Sequence, residues 1–153
     1  MKFLGAFFIA GALLAMPTAN AQDASTQPRA AGEPPEADIG EIMVLQQMRH
    51  IKLWFAGRAG NWPLADYEID KLKEGFADVD KLIGGDTVQQ AVGVHIDALQ
   101  KAIEAKDREA FTRGFDGLSA GCNSCHRLLD HAFIAIQRPA LQPYSNQSFA
   151  PRN

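Results

Sequence analysis

Residues 107–129 read DREAFTRGFDGLSAGCNSCHRLL. Apolar side chains recur through this stretch at intervals of 4, 3, 4, 3 and 4, which is the period of an α-helix with one buried face. Asp107 stands in front of the run as an N-cap residue. The cysteines continue the apolar series, so we expect the thiols to face the core of a helical domain. The predicted stripe is Phe111, Phe115, Leu118, Cys122, Cys125 and Leu129.

The helix carries the pentapeptide Cys122-Asn123-Ser124-Cys125-His126. C-x-x-C-H is the attachment pattern of a c-type haem, in which two thiols add to the vinyl groups and the histidine is an axial ligand of the iron. These are the only two cysteines of the chain. We therefore expect one covalent haem c on Cys122 and Cys125, with His126 as proximal iron ligand. A chance match, a disulfide and half of a zinc site are the other interpretations.

The N-terminus predicts export. Lys2 precedes an uncharged apolar run over residues 3–15, and Ala19-Asn20-Ala21 is typical of a signal-peptidase site. We expect residues 1–21 to be a signal peptide cleaved after Ala21. The run is short for a membrane span, and no later segment is apolar enough for one. In a bacterium, an origin that we infer from the motif and this kind of signal, the destination is the periplasm.

The mature chain should contain one domain and two extensions. Residues 22–37 hold three prolines and little to bury, which predicts a disordered tether. Residues 38–132 form the helical domain, and residues 133–153 form a proline-bearing tail that packs on it without helix. The net charge of −3 becomes −4 when Lys2 is removed, and no basic block indicates nucleic acid.

Three further helices precede the motif. Helix 1 is predicted from the cap residue Asp38 to about Ala56, with Gly57 and Gly60 ending it. Helix 2 follows Asn61, and five of its charged residues are predicted to face solvent: Glu68, Asp70, Lys71, Lys73 and Glu74. Helix 3 starts after Thr87. The predicted inner stripes are Ala65, Ile69, Leu72, Phe76, Val79 and Ile83 in helix 2, and Val88, Val92, Ile96, Leu99 and Ile103 in helix 3.

Helix 1 has two apolar faces. One includes Ile42, His50 and Trp54, and the other includes Val44 and Phe55. Such a helix is buried deeply or contacts a second partner, such as another subunit in a homodimer. Helix 4 in turn has three interior glycines, Gly114, Gly117 and Gly121, which are costly in a helix. Either they let a flat porphyrin or a neighbouring helix approach closely, or the helix tolerates them because packing holds it.

Four helices joined by short turns, with C-x-x-C-H late in the last one, resemble the cytochrome c′ and cytochrome c-556 family. The resemblance covers helix number, length and motif position, and at residue level only the motif. It implies an all-α, antiparallel up-down four-helix bundle in the periplasm, often dimeric, with haem held by the last helix.

The sixth iron ligand decides between two haem functions. In an up-down bundle the end of helix 4 lies beside the start of helix 1, where Met43, Met48 and His50 are candidates. Register counting favours Met43, whereas His50 is the stronger donor. Each also has an ordinary interpretation, as core filler or as a hydrogen-bonded core histidine. A filled position predicts electron transfer, and an open one predicts binding of NO or CO.

The preferred prediction is therefore a periplasmic one-electron carrier that exchanges electrons with redox partner proteins. A five-coordinate, gas-binding protein is the first alternative. A thiol–disulfide oxidoreductase that uses Cys122 and Cys125 is the second, although no βαβ pattern accompanies the pair. No carboxylate pair, nucleophile–base set or phosphate loop supports an enzyme with a substrate of its own.

Overall fold

The computed structural model describes residues 38–152, and within that range every regular element is an α-helix. The all-α prediction with four helices is confirmed, and the architecture is compatible with a four-helix bundle. The predicted signal peptide, its cleavage site and the tether lie outside the described residues. The helices are α1 (Ile39–Ala59), α2 (Trp62–Ile83), α3 (Thr87–Glu104) and α4 (Arg108–Leu128).

α1, α2 and α4 start directly after the predicted cap residues, whereas α3 begins at Thr87 itself rather than after it. The Asp38 side chain accepts from the backbone N–H of Gly40, and Asn61 Oδ1 accepts from the N–H of Leu64. Asp107 Oδ1 accepts from two N–H groups of the first turn of α4, each at 2.9 Å. These side chains satisfy backbone donors that have no partner within the helix.

The predicted end of α1 was three residues short. Gly57 does not end the helix, because it is helical and buried, and a Cβ there would lie 2.1 Å from Cζ of Phe111. Gly60 is the true C-cap, in the left-handed region at φ 76°. Gly57 is thus a packing position that admits an aromatic ring rather than a helix terminator.

The start of α3 is capped from another helix. Asp86 directly precedes it but makes no capping bond to it. Instead, the buried carboxylate of Asp80, near the end of α2, accepts from the N–H groups of Val88 and Gln89 at 2.8 and 3.0 Å. The turn between α2 and α3 is therefore held by a side chain that the sequence pattern did not single out.

Each helix packs on its neighbour in sequence, and α1 also contacts α4. The predicted stripes of α2 and α3 are buried, except that Ile83 is only half-buried. Two predictions are wrong at the margins. Glu68 is buried rather than solvated, and Leu129 lies beyond the end of α4 and is exposed. The largest fully buried side chains are Phe111, Phe115, Leu53, Ile69, Leu72, Leu99, Leu118 and Val92.

The segment after α4 contains no helix up to residue 152 and returns along the helices. Phe149 is buried and packs against Phe55 of α1, with ring centroids 5.8 Å apart. The side-chain amide of Asn61 donates to the carbonyl of Ala150. Within the described residues, this C-terminal segment covers part of the second apolar face of α1, whereas Val44 on that face stays 68% exposed.

None of the four described helices combines the length and the hydropathy that crossing a bilayer requires.

Candidate functional site

The C-x-x-C-H pentapeptide occupies the last two turns of α4. Cys125 and His126 are buried, Cys122 is half-buried, and both cysteines are free thiols. The i,i+3 spacing places both thiols on the same side of the helix. Cys125 belongs to the hydrophobic core, and Cys122 packs against it. The thiols therefore lie at the boundary between the core and the end of α4.

Burial shapes the chemistry of both thiols. It raises the pKa of Cys122 to about 12, with the charge of Cys125 as a second cause. Burial also raises the pKa of Cys125, where the Asp80 carboxylate adds to the effect. A thiol–disulfide oxidoreductase needs a thiol of lowered pKa. The surroundings of Cys122 and Cys125 instead raise the pKa of both thiols.

The imidazole of His126 is oriented by the backbone that follows the helix. Its Nδ1 lies 2.8 Å from the carbonyl oxygen of Ile134. Because a carbonyl only accepts, Nδ1 carries the proton in this hydrogen bond. In the neutral ring, Nε2 then holds a free lone pair. This is the tautomer of a histidine that binds a metal through Nε2 with its other nitrogen held by a second hydrogen bond.

Asn123, one of the two variable residues of the motif, holds the same returning segment. Its Nδ2 donates to the carbonyl of Ile136 at 2.8 Å, and its Oδ1 accepts from the Ile136 N–H at 2.7 Å. Two residues further, Nε and Nη2 of Arg138 donate to the carboxylate of Asp116 in α4, and the guanidinium lies over the ring of Trp54, 4.7 Å from its centroid. The segment thus contacts α4 at every second residue, through Ile134, Ile136 and Arg138.

The three glycines of α4 face α3. A Cβ at Gly114 would lie 3.1 Å from Cγ of Leu99, and one at Gly117 would lie 2.6 Å from Nδ1 of His95. At Gly121 it would lie 2.6 Å from the backbone oxygen of Ala91. These positions therefore admit a neighbouring helix at close range, which agrees with the close-approach interpretation of the three glycines.

His50 is a buried histidine with a defined partner. Its Nε2 lies 2.9 Å from Ser119 Oγ, and that hydroxyl donates to the Phe115 carbonyl at 3.0 Å. Since the hydroxyl proton is used, Nε2 of His50 donates to Ser119. The ring also packs on Phe115, with centroids 4.3 Å apart, and burial lowers its pKa to about 4.

Three contacts join α1 to α4 in order. The Cβ position of Gly57 meets the Phe111 ring, Trp54 lies 4.9 Å from Phe115 between centroids, and His50 bonds to Ser119. Met43 lies about two turns further toward the start of α1, where it is half-buried against the core. His50 is thus bonded to Ser119 rather than to His126, and Met43 packs against the core.

Apolar side chains are exposed just after the motif. Leu128 is 67% exposed, Phe133 80% and Ile134 42%. The apolar run around Phe133 contacts α4 through the backbone of Ile134 and Ile136. Among residues 38–152 no three or more His, Cys, Asp or Glu side chains converge in a way that could hold a metal ion.

Sequence reasoning did not single out Asn123, Ser119 or the backbone of residues 134–136. Asn123 occupies a variable position of the motif, and a backbone acceptor leaves no mark in residue type. Ser119 left a weak mark, because it is a small polar residue next to the inward-facing Leu118 of a buried helix.

Comparison with known proteins gives no assignment. No family model, no curated protein and no solved structure matches the chain.

Proposed function

We propose that this protein is a monohaem c-type cytochrome that carries single electrons between periplasmic partner proteins. The observation that carries the proposal is the tautomer of the His126 imidazole, in the same two helix turns as the two thiols. Its Nδ1 is held by the Ile134 carbonyl, and its Nε2 lone pair is left for a metal. Residues 1–21 would act as the export signal, as covalent haem attachment outside the cytoplasm requires.

The residues present fit a covalently attached haem. Cys122 and Cys125 lie on one side of α4 and would form the two thioethers, and His126 follows the second thiol directly as axial ligand. The attached group would supply a one-electron iron couple. Leu128, at the end of α4, and Phe133, five residues beyond it, are exposed apolar side chains close in sequence to the motif, and an attached apolar group could cover them.

The order of the α1–α4 contacts supports an antiparallel up-down bundle. Residue numbers fall along α1, from Gly57 to His50, as they rise along α4, from Phe111 to Ser119. Continuing this register by seven residues on each helix places Met43 level with His126. A group held by His126 would then lie level with the start of α1.

This register separates the two distal candidates. His50 is level with Ser119, two turns away from His126, and its Nε2 is already used. We therefore propose Met43 as the side chain placed to fill the sixth position, with His50 as a hydrogen-bonded core histidine. If Met43 does not coordinate, the position is open.

The chain's own residues would set the properties of the iron. The hydrogen bond at Nδ1 of His126 raises the basicity of the ligand, and this favours ferric iron. Burial of His126 and Cys125 excludes water from the proximal side. Both effects would tune a reduction potential, which is the property that a carrier of single electrons depends on.

A gas-binding protein with an open distal face is the second candidate. The hydrogen bond between His50 and Ser119 favours this candidate, because the strongest donor among the possible sixth ligands is then used elsewhere. Reaction with NO or CO would then replace electron transfer as the main role. The periplasmic setting and the proximal residues are the same in both candidates.

An optical spectrum distinguishes the two candidates. The chain is produced with c-type maturation machinery, and spectra are recorded oxidised, reduced with dithionite and reduced under CO. Sharp α and β bands that CO does not change indicate a six-coordinate electron carrier, and Met43→Ala should convert them to a CO-sensitive form. Broad bands that CO sharpens indicate the gas-binding protein. If no haem bands appear, both proposals are wrong.

A further inference from the structure

The backbone of residues 134–138, here called the strap, runs back along α4 from the motif. Its contacts on α4 are His126 at Ile134, Asn123 at Ile136 and Asp116 at Arg138. Strap numbers rise as α4 numbers fall, so the strap is antiparallel to the helix over these contacts. Its side chains are mostly exposed, and it is therefore held by its backbone and by one ion pair.

We propose that Asn123 is a positioning residue that clamps the strap and thereby fixes the ring of His126. This inference rests on the proposed function, since it assigns to a variable residue of the motif the control of the axial ligand. The structural basis is the pair of bonds that Asn123 makes to the N–H and C=O of the same residue, Ile136.

The chemistry of the amide explains why asparagine suits this position. A side-chain amide has a donor and an acceptor side by side, so it pairs with a peptide group as a neighbouring strand would. Carboxylates offer only acceptors, and aliphatic side chains offer neither. Two residues before Ile136 lies the carbonyl that accepts from His126 Nδ1. Holding Ile136 in place therefore fixes the position of the Ile134 carbonyl along α4 and the direction in which it points.

The other end of the strap limits its movement. Arg138 pairs with Asp116 at 2.6 Å and also lies over the indole of Trp54, which is itself buried. An exposed ion pair contributes little alone, but here the guanidinium has two fixed partners on two helices. With both Ile136 and Arg138 held, the Ile134 carbonyl stays in reach of His126.

The matched control is Ser124, the other variable residue of the motif. It is half-buried, and its hydroxyl makes no hydrogen bond that the described part of the chain shows. Asn123→Ala and Ser124→Ala therefore each remove a small polar group between the two cysteines, but only the first releases the strap. Asn123→Ser, whose side chain is too short to reach both groups of Ile136, replaces Asn123→Ala if that variant does not fold.

The first measurement is hydrogen exchange at the Ile136 amide, on the full chain as isolated, with or without haem. Asn123→Ala should raise the exchange rate about tenfold, because the acceptor of that N–H is lost. Ser124→Ala should leave the rate at the wild-type value. Unchanged protection in Asn123→Ala would overturn the clamp whether or not haem is attached.

The second measurement concerns the ring of His126. Nitrogen NMR of the chain should show Nδ1 protonated in wild type and Ser124→Ala, with loss of this single state in Asn123→Ala. In haem-bound protein the midpoint potential should rise in Asn123→Ala alone, because a weaker Nδ1 hydrogen bond makes the axial ligand a poorer donor. Faster exchange at Ile136 with an unchanged ring state and potential would overturn the positioning role. Failure of the wild type to bind haem would instead overturn the proposed function, and with it the role toward iron.

Discussion

His50 of α1 donates from Nε2 to Ser119 Oγ of α4 at 2.9 Å, and the Ser119 hydroxyl donates to the Phe115 carbonyl. This chain of two bonds satisfies a serine and a histidine that are both buried. It also fixes the register between α1 and α4, because it pairs His50 with Ser119, seven residues before His126. A buried histidine with a neutral partner is stabilised in its uncharged form.

The stability of the fold should depend on pH through His50. Burial lowers its folded pKa from 6.5 to about 4, so the unfolded chain takes up this proton first as pH falls. The stabilisation is therefore complete above pH 6.5 and is lost as pH falls from 6.5 toward 4. Linkage gives a loss of about 3 kcal/mol at the acid end.

The measurement is urea unfolding between pH 7.5 and about 4 for wild type and His50→Gln, which keeps a partner for Ser119 but does not titrate. The free energy of unfolding of the wild type should fall more steeply, and subtracting the variant removes the carboxylates common to both. Parallel curves of the free energy of unfolding against pH would contradict this prediction. So would NMR signals of the His50 ring that titrate near pH 6.5.

The two thiols should react slowly in the folded chain without haem. Since the pKa of both is raised, and that of Cys122 to about 12, little thiolate is present at pH 8.5. Alkylation of Cys122 by iodoacetamide should be more than about a hundredfold slower than in the urea-unfolded chain, and alkylation of Cys125 should also be slower than in the unfolded chain. Mass spectrometry counts the labelled thiols with time. Labelling faster than in the unfolded chain would instead support a thiol–disulfide oxidoreductase.

Adding one methyl group to α4 should separate it from α3. In Gly121→Ala the new Cβ would lie 2.6 Å from the backbone oxygen of Ala91, which cannot rotate away. We expect a loss of about 1–3 kcal/mol in the free energy of unfolding. The control is Gly85→Ala, because nothing lies within 4 Å of its Cβ position. Equal stability of the two variants would show that α3 and α4 are not in close contact there.

The cap of α3 should depend on Asp80 and not on Asp86. Asp80 accepts from two N–H groups of the first turn, whereas Asp86, the residue just before the helix, makes no capping bond. Asp80→Ala should cost about 1–2 kcal/mol, and Asp86→Ala only a few tenths. Thermal unfolding of both variants measures the difference. The reverse order would mean that the local sequence, rather than the tertiary contact, caps α3.

Sequence periodicity predicted the helices because each buried stripe repeats every three or four residues. It failed where a polar residue is buried by a partner far away in the chain. Glu68 looked like part of a solvated face, yet it is buried, with the positive charges of Lys52 and Arg49 acting on its carboxyl group. Gly57 looked like a helix stop, yet it receives the ring of Phe111. Neither partner lies in the same helix.

In the candidate site, too, the local features were predictable from the sequence and the contacts with distant residues were not. The spacing of Cys122, Cys125 and His126 is a local property of one helix, so the sequence placed them correctly in the last helix, which the structure ends at Leu128. The contacts of Asn123 and His126 with the strap depend on the path of an irregular segment. Backbone carbonyls have no residue-specific signature, and such contacts appear only once the fold is known.

The most direct test of the haem proposal is the mass of the intact mature protein made with and without c-type maturation machinery. With the machinery, the wild type should gain the mass of one haem and keep it through denaturation. Cys122→Ala and Cys125→Ala should each hold it by at most one bond, and the double variant should lose it on denaturation. A wild-type mass equal to that of the polypeptide alone, from cells that mature a control cytochrome, would contradict the account.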